Sequence, residues 1–151
     1  MHAVLQSAIA GCVATLPMTV WMLGAQQLLP EREQYPLPPE NITANAAEKV
    51  GLDVVADDEH ARQAVSTFNH FAYGAVVGAA YTPLRNLPGP PVLKGVAFGL
   101  CVWLFSYLKL LPALHLLSSA KHHPMRRNWL MIIAHFIWGG TLAVMTERAR
   151  R

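Results

Sequence analysis

Charge is what this sequence has least of. Only 14% of its 151 residues are Asp, Glu, Lys or Arg, against about 25% in an ordinary soluble domain. The deficit is concentrated. Residues 1–30, 63–84 and 128–146 carry no charge, and between Lys94 and Lys121 the only charged residue is Lys109. No carboxylate lies inside these stretches, which leaves no paired-carboxylate chemistry there. Cys12 and Cys101 lack CxxC spacing, so they read as small packing residues rather than a disulfide or thiolate metal site. GxSxG, P-loop, HExxH and CxxCH patterns are also missing, so the chain is not expected to be an enzyme.

What is present is apolar length. The composition is 53% apolar, and four segments, 4–29, 64–81, 92–117 and 129–146, approach the roughly 20 residues that cross a bilayer core of about 30 Å. The expected fold is all-α: one polytopic membrane domain over residues 1–151, with four transmembrane helices and a polar loop at 31–62. A soluble bundle is the poorer reading, because so small a chain cannot surround four wholly apolar helices with its own polar surface. The net charge of +3 and pI near 9.1 do not point to nucleic acid. The basic residues cluster beside apolar segments, at 121–127 and 148–151, where they suit lipid headgroups. Ile9-Ala10-Gly11-Cys12 resembles a lipoprotein cleavage box. However, no Lys or Arg precedes it and the apolar run continues beyond Cys12, so the first helix is read as uncleaved.

Pro17 predicts a kink in the first helix, with Thr15 or Thr19 bonding the carbonyl it frees. All nine acidic residues except Glu147 fall in the loop 31–62, which reads as a solvated cap. There Tyr35-Pro36-Leu37-Pro38-Pro39 is expected to be extended, and 43–50 to form a short helix capped by Thr43 or Asn45. Asp57 or Asp58 is expected to start the next helix. Asn41-Ile42-Thr43 is a glycosylation triplet that matters only in a eukaryotic secretory setting. Prolines and Gly89 make 82–91 a stiff turn. Lys109 is expected to snorkel to the headgroups.

One motif occurs twice. Asn69-His70-Phe71-Ala72-Tyr73-Gly74 recurs as Ala134-His135-Phe136-Ile137-Trp138-Gly139. Helical spacing puts His70, Gly74 and Gly78 on one stripe, and His135, Gly139 and Ala143 on another. Gly74 with Gly78, and Gly95 with Gly99, form GxxxG patterns that permit close helix packing, within the chain or in a homo-oligomer. Leu28-Leu29-Pro30 and Leu110-Leu111-Pro112 precede the two copies, which suggests two duplicated helical hairpins. Five of the seven histidines, at 70, 115, 122, 123 and 135, then collect on one side.

Two readings of that side compete. His70 and His135, with His115 nearby, could ligate a transition metal or haem iron, with Tyr73 and Trp138 stacking on the cofactor or donating a hydrogen bond to it. Alternatively, each histidine holds the bundle in register through a hydrogen bond. A third possibility is a small transporter or proton path. The expected partners are the lipid bilayer and either a second copy or another membrane-complex subunit. The leading expectation is a structural or accessory role, or one in envelope stress. With an even number of spans both termini share a side, here expected to be cytoplasmic.

Gly11 with Pro17-Met18-Thr19, His70-Phe71-x-Tyr73-Gly74 with Gly78 and Tyr81, Tyr107-x4-Pro112, and His135-x2-Trp138-Gly139 together resemble the YagU-like family of small bacterial inner-membrane proteins. The resemblance spans most of the chain outside the first loop. It implies an inner-membrane, multi-pass protein with about four helices, and it implies no reaction.

Overall fold

The computed structural model describes residues 2–150, apart from the side chains of residues 53 and 56; Arg151 of the basic tail lies outside the described residues. The described chain is all-helical. Helix α1 spans His2–Gln26, α2 Pro38–Val50, α3 Asp53–Asp57 and α4 Glu59–Ala80. Helix α5 (Pro91–Phe105) continues through a π turn at Ser106–Leu110 into the short α6 (Leu111–Ala113), and α7 spans Met125–Arg148. Three helices are long and apolar enough to cross a membrane: α1, the rod Pro91–Ala113, and α7. The fourth expected span, α4, is not among them. Its first half carries Glu59, His60, Arg62, Gln63, Ser66, Thr67, Asn69 and His70.

The helices pack in the order α4, α1, α7, α5, with α2 lying on α4. Two crossings are made backbone to backbone. At the α1–α4 crossing, a Cβ on Gly11 would collide with the Gly74 carbonyl, and one on Gly78 would lie 2.7 Å from Gly11 Cα. At the α5–α7 crossing, Gly95 and Gly139 each leave no room for a Cβ against the other's carbonyl, and Gly99 leaves none against that of His135. The GxxxG stripes are therefore used within the chain. Neither Gly78 nor Gly139 offers an open groove below its histidine, as a stacked macrocycle would need.

Each end of the bundle is tied by one buried arginine. Arg85, only 6% exposed, donates to the carbonyls of Ala3 and Thr146, both at 3.2 Å, and to Gln6 Oε1 at 3.3 Å. Gln6 Nε2 in turn donates to the Ala149 carbonyl at 3.4 Å. The start of α1, the α4–α5 turn and the end of α7 therefore meet at one end. At the other, Arg127 (6% exposed) stacks 3.6 Å over the Tyr35 ring and donates to the carbonyls of Glu33, Tyr35 and Pro36. The headgroup role expected of Arg127 is corrected: its donors are taken up by loop carbonyls.

Local expectations divide. Asp58 does cap α4, accepting from the Ala61 amide at 2.9 Å. By contrast, α2 begins at Pro38, with proline at its first positions, where the missing N–H costs nothing. The Thr15 and Thr19 hydroxyls bond the carbonyls of Gly11 and Thr15, not the Val13 carbonyl that Pro17 frees. The third rod ends at Ala113, one residue after Pro112 and short of the expected 117.

His123 accepts from or donates to the Tyr35 hydroxyl through Nδ1 at 2.9 Å. Burial pushes its pKa below the ordinary 6.5, opposed by a hydrogen bond with the Ser118 backbone and reinforced by Arg127 and His122. The folded loop thus prefers the neutral ring, so the unfolded chain binds the extra proton. Loop stability should be full above about pH 6.5 and fall on acidification below it. Limited proteolysis at residues 31–37 should accelerate from pH 7 to pH 5 in the native protein and lose that pH dependence in His123→Phe. A second expectation concerns the crossings. Gly95→Ala or Gly139→Ala should destabilise the protein by roughly 1–3 kcal/mol through overpacking. Gly24→Ala, which meets nothing within 4 Å, should be neutral or stabilising, as read by thermal unfolding in detergent.

Candidate functional site

Helices α4 and α5, the outer two of the row, pack closely on α1 and α7 rather than on each other. A cavity of about 330 Å³ occupies the space between them. Asn69, His70, Tyr73 and Val77 of α4 form one wall, and Val102, Ser106 and Tyr107 of the α5 rod form the other. Thr15 and Met18 of α1 and Met131, His135 and Trp138 of α7 make the back, while Pro39, Ile42, Thr43 and Ala46 bring α2 over it as a cover. Asn45 and Lys49 hold that cover to the turn after α6, donating to the carbonyls of Leu116 and Leu114 at 2.8 and 2.6 Å.

The structure brings four of the expected residues together: His70, Tyr73, His135 and Trp138 all line the cavity. His115 does not; it is exposed and holds a left-handed conformation with φ 53°. Among the described residues no group of three or more His, Cys, Asp or Glu side chains could hold a metal ion. Lys109 is exposed.

The polar atoms have distinct assignments. His135 Nδ1 lies 2.8 Å from the Met131 carbonyl. A carbonyl only accepts, so Nδ1 carries the proton and Nε2 of the neutral ring carries a lone pair. His70 Nε2 is buried without a partner. Trp138 Nε1 donates to the Gly11 carbonyl at 3.0 Å, and the Tyr73 and Ser106 hydroxyls share a hydrogen bond of 3.0 Å. The aromatic residue three places after each histidine therefore ties its hairpin to the other one.

Ser106 and Tyr107 were not expected at the site. They sit in the π turn of the α5 rod, and the Tyr107 ring meets His135 edge-on at 5.9 Å. Such bulges recur at functional sites. No residue-level signal announces one; the only sequence clue is a Ser-Tyr pair inside an apolar run.

These features define a small helical bundle, compatible with a membrane protein, that encloses an apolar cavity with two histidines in its wall. The chain belongs to the family described as a protein of unknown function, DUF1440, which matches residues 18–144. No curated protein and no solved structure matches it.

Tyr73 and Ser106 should behave as one unit. Tyr73→Phe and Ser106→Ala should each cost about 1 kcal/mol, and the double variant should cost little more than either, as a double-mutant cycle in detergent would report. Strict additivity would mean that the bond does not form.

Proposed function

We propose that this is a four-crossing protein of the bacterial inner membrane, with cytoplasmic termini and a non-enzymatic, accessory role. The observation that carries the reading is the Arg85 cluster. The residues it ties come from the start of α1, the turn after α4 and the end of α7. If α1 crosses, a chain that returns to the same face at Arg85 must cross again through α4. At 22 residues α4 is about 33 Å long, enough for a bilayer core. Its low hydropathy has a local cause, since Ser66, Asn69 and His70 line the cavity. Its outer face carries exposed Phe68 and Val76. The resemblance to YagU-like proteins supports the location. The basic residues near helix ends divide evenly between the two faces, so cytoplasmic termini rest on the acids: Glu147 is the only one at the terminal end, and the other eight fall in the 31–62 loop, which favours the outside. Against catalysis stands the lining itself, which has no carboxylate, while Ser106 is bonded to Tyr73 rather than to a histidine.

A metal or haem held by His70 and His135 is the second reading, favoured by the shared cavity and the unpartnered His70 Nε2. Stoichiometric metal or a Soret band in purified protein, lost in a His70→Ala, His135→Ala variant, would support it.

Topology is tested by single cysteines in a Cys12→Ala, Cys101→Ala background. Gly89→Cys and Arg148→Cys should react with an impermeant maleimide from the same side, the cytoplasm, and Lys49→Cys from the other. Labelling of Gly89→Cys together with Lys49→Cys would sink the four-crossing reading.

A further inference from the structure

We propose that the cavity between α4 and α5 binds an uncharged, ring-sized, lipid-soluble molecule bearing carbonyl or hydroxyl groups, of the quinone type, admitted from the bilayer between those two helices. The inference rests on the four-crossing reading, because the gap faces lipid only if α4 crosses.

Size comes first. A volume of about 330 Å³ falls within the range of small-molecule sites, about 300–1,000 Å³, and is far larger than a packing defect. Charge comes next. No Asp, Glu, Lys or Arg lines the cavity, so a carboxylate, phosphate or ammonium would be stripped of water with no counter-charge. The same argument weighs against haem, whose propionates would lack a cation.

The wall then specifies what the molecule carries. Met18, Val77, Val102, Leu110 and Leu111 offer apolar contact. Against them stand a few hydrogen-bonding groups. His70 Nε2 is buried and unpartnered, a costly state that a bound carbonyl or hydroxyl would relieve. His135 is 6% exposed, with Nε2 left as an acceptor by its Nδ1 bond to Met131. The Tyr73–Ser106 pair has two hydroxyl protons and uses one between them. Together these groups can meet either a carbonyl or a hydroxyl on a ring. Tyr107 and Trp138 also line the space, which suits a flat ligand.

The route follows from the unequal packing. α1 packs on α7 across the middle of the bundle, but the outer helices α4 and α5 leave a gap. Tyr73, 45% exposed, spans that gap to reach Ser106 at 3.0 Å. Breaking that single bond opens the cavity sideways, toward the face that carries exposed Val76 and Phe105.

The test uses purified full-length protein in detergent, titrated with a benzoquinone carrying one isoprene unit, and separately with the isoprenyl benzene that lacks the carbonyls. Binding is read as a saturable rise in Tm. The quinone should bind saturably, and the benzene at least about tenfold more weakly. His70→Leu should weaken quinone binding by about tenfold. Ala46→Phe, which fills the cavity from the α2 cover, should abolish saturable binding while melting no lower than the native protein in the absence of probe. Val102→Phe fills it from the opposite wall, should Ala46→Phe fold poorly. No saturable quinone binding, binding that survives both filled variants, or equal affinity for the benzene would overturn the inference. The binding is read in detergent and so is independent of the labelling. Failed binding with correct labelling overturns this inference alone, whereas Gly89→Cys on the wrong side removes the bilayer route and the four-crossing reading with it.

Discussion

A carbonyl oxygen on one helix occupies the place where a methyl group on the next would have to be, and this happens at both ends of the row of helices. Gly11 meets Gly74 and Gly78, and Gly139 meets Gly95 and Gly99. Between apolar helices in lipid the hydrophobic effect gives no preference for one neighbour over another, so close backbone approach and dispersion decide the pairing. The two glycine crossings thus set which helices are partners, and the remaining features follow from them. Helix α7, gripped by α5 on one side and packed on α1 on the other, becomes the central helix, with half of its apolar window buried against about a fifth for the α5 rod.

The two hairpins then meet unequally. Trp138 reaches from α7 into α1 and closes that contact with a hydrogen bond to the Gly11 carbonyl. Tyr73, its counterpart on α4, reaches only the Ser106 hydroxyl across open space. The cavity is the consequence of that asymmetry. The cavity also gives part of the polar first half of α4 a place: Ser66, Asn69 and His70 line it. Their polarity lowers the helix's mean hydropathy while leaving Phe68 and Val76 on its outer face.

The two buried arginines solve a different problem, the satisfaction of backbone carbonyls where helices end. Arg85 gathers carbonyls from the first and last helices. Arg127 gathers three from the first loop while stacking on Tyr35. A guanidinium has five donors in a planar fork and keeps its charge when partly desolvated, so it can serve several carbonyls at once in a fixed geometry. Through Arg127 and the Tyr35–His123 contact, the loop is docked onto the bundle as a cover rather than left as a solvated tether.

Composition and periodicity alone determined the all-helical class, the positions of the long apolar helices within a few residues, and the grouping of His70, Tyr73, His135 and Trp138. Those features depend on helix period and on the distribution of charge, which are local properties. Even the glycine stripes were legible as packing faces. Tertiary structure decided what each stripe packs against, because GxxxG states that a backbone can approach and not which one does. It likewise placed His115 outside the site, where a left-handed turn carries it away, and brought Ser106 and Tyr107 into it through a π turn. It turned Arg127 from a flanking charge into a buried tie. Each of these depends on which distant carbonyl, ring or void a side chain meets, and a chain of residues in order carries no direct record of that.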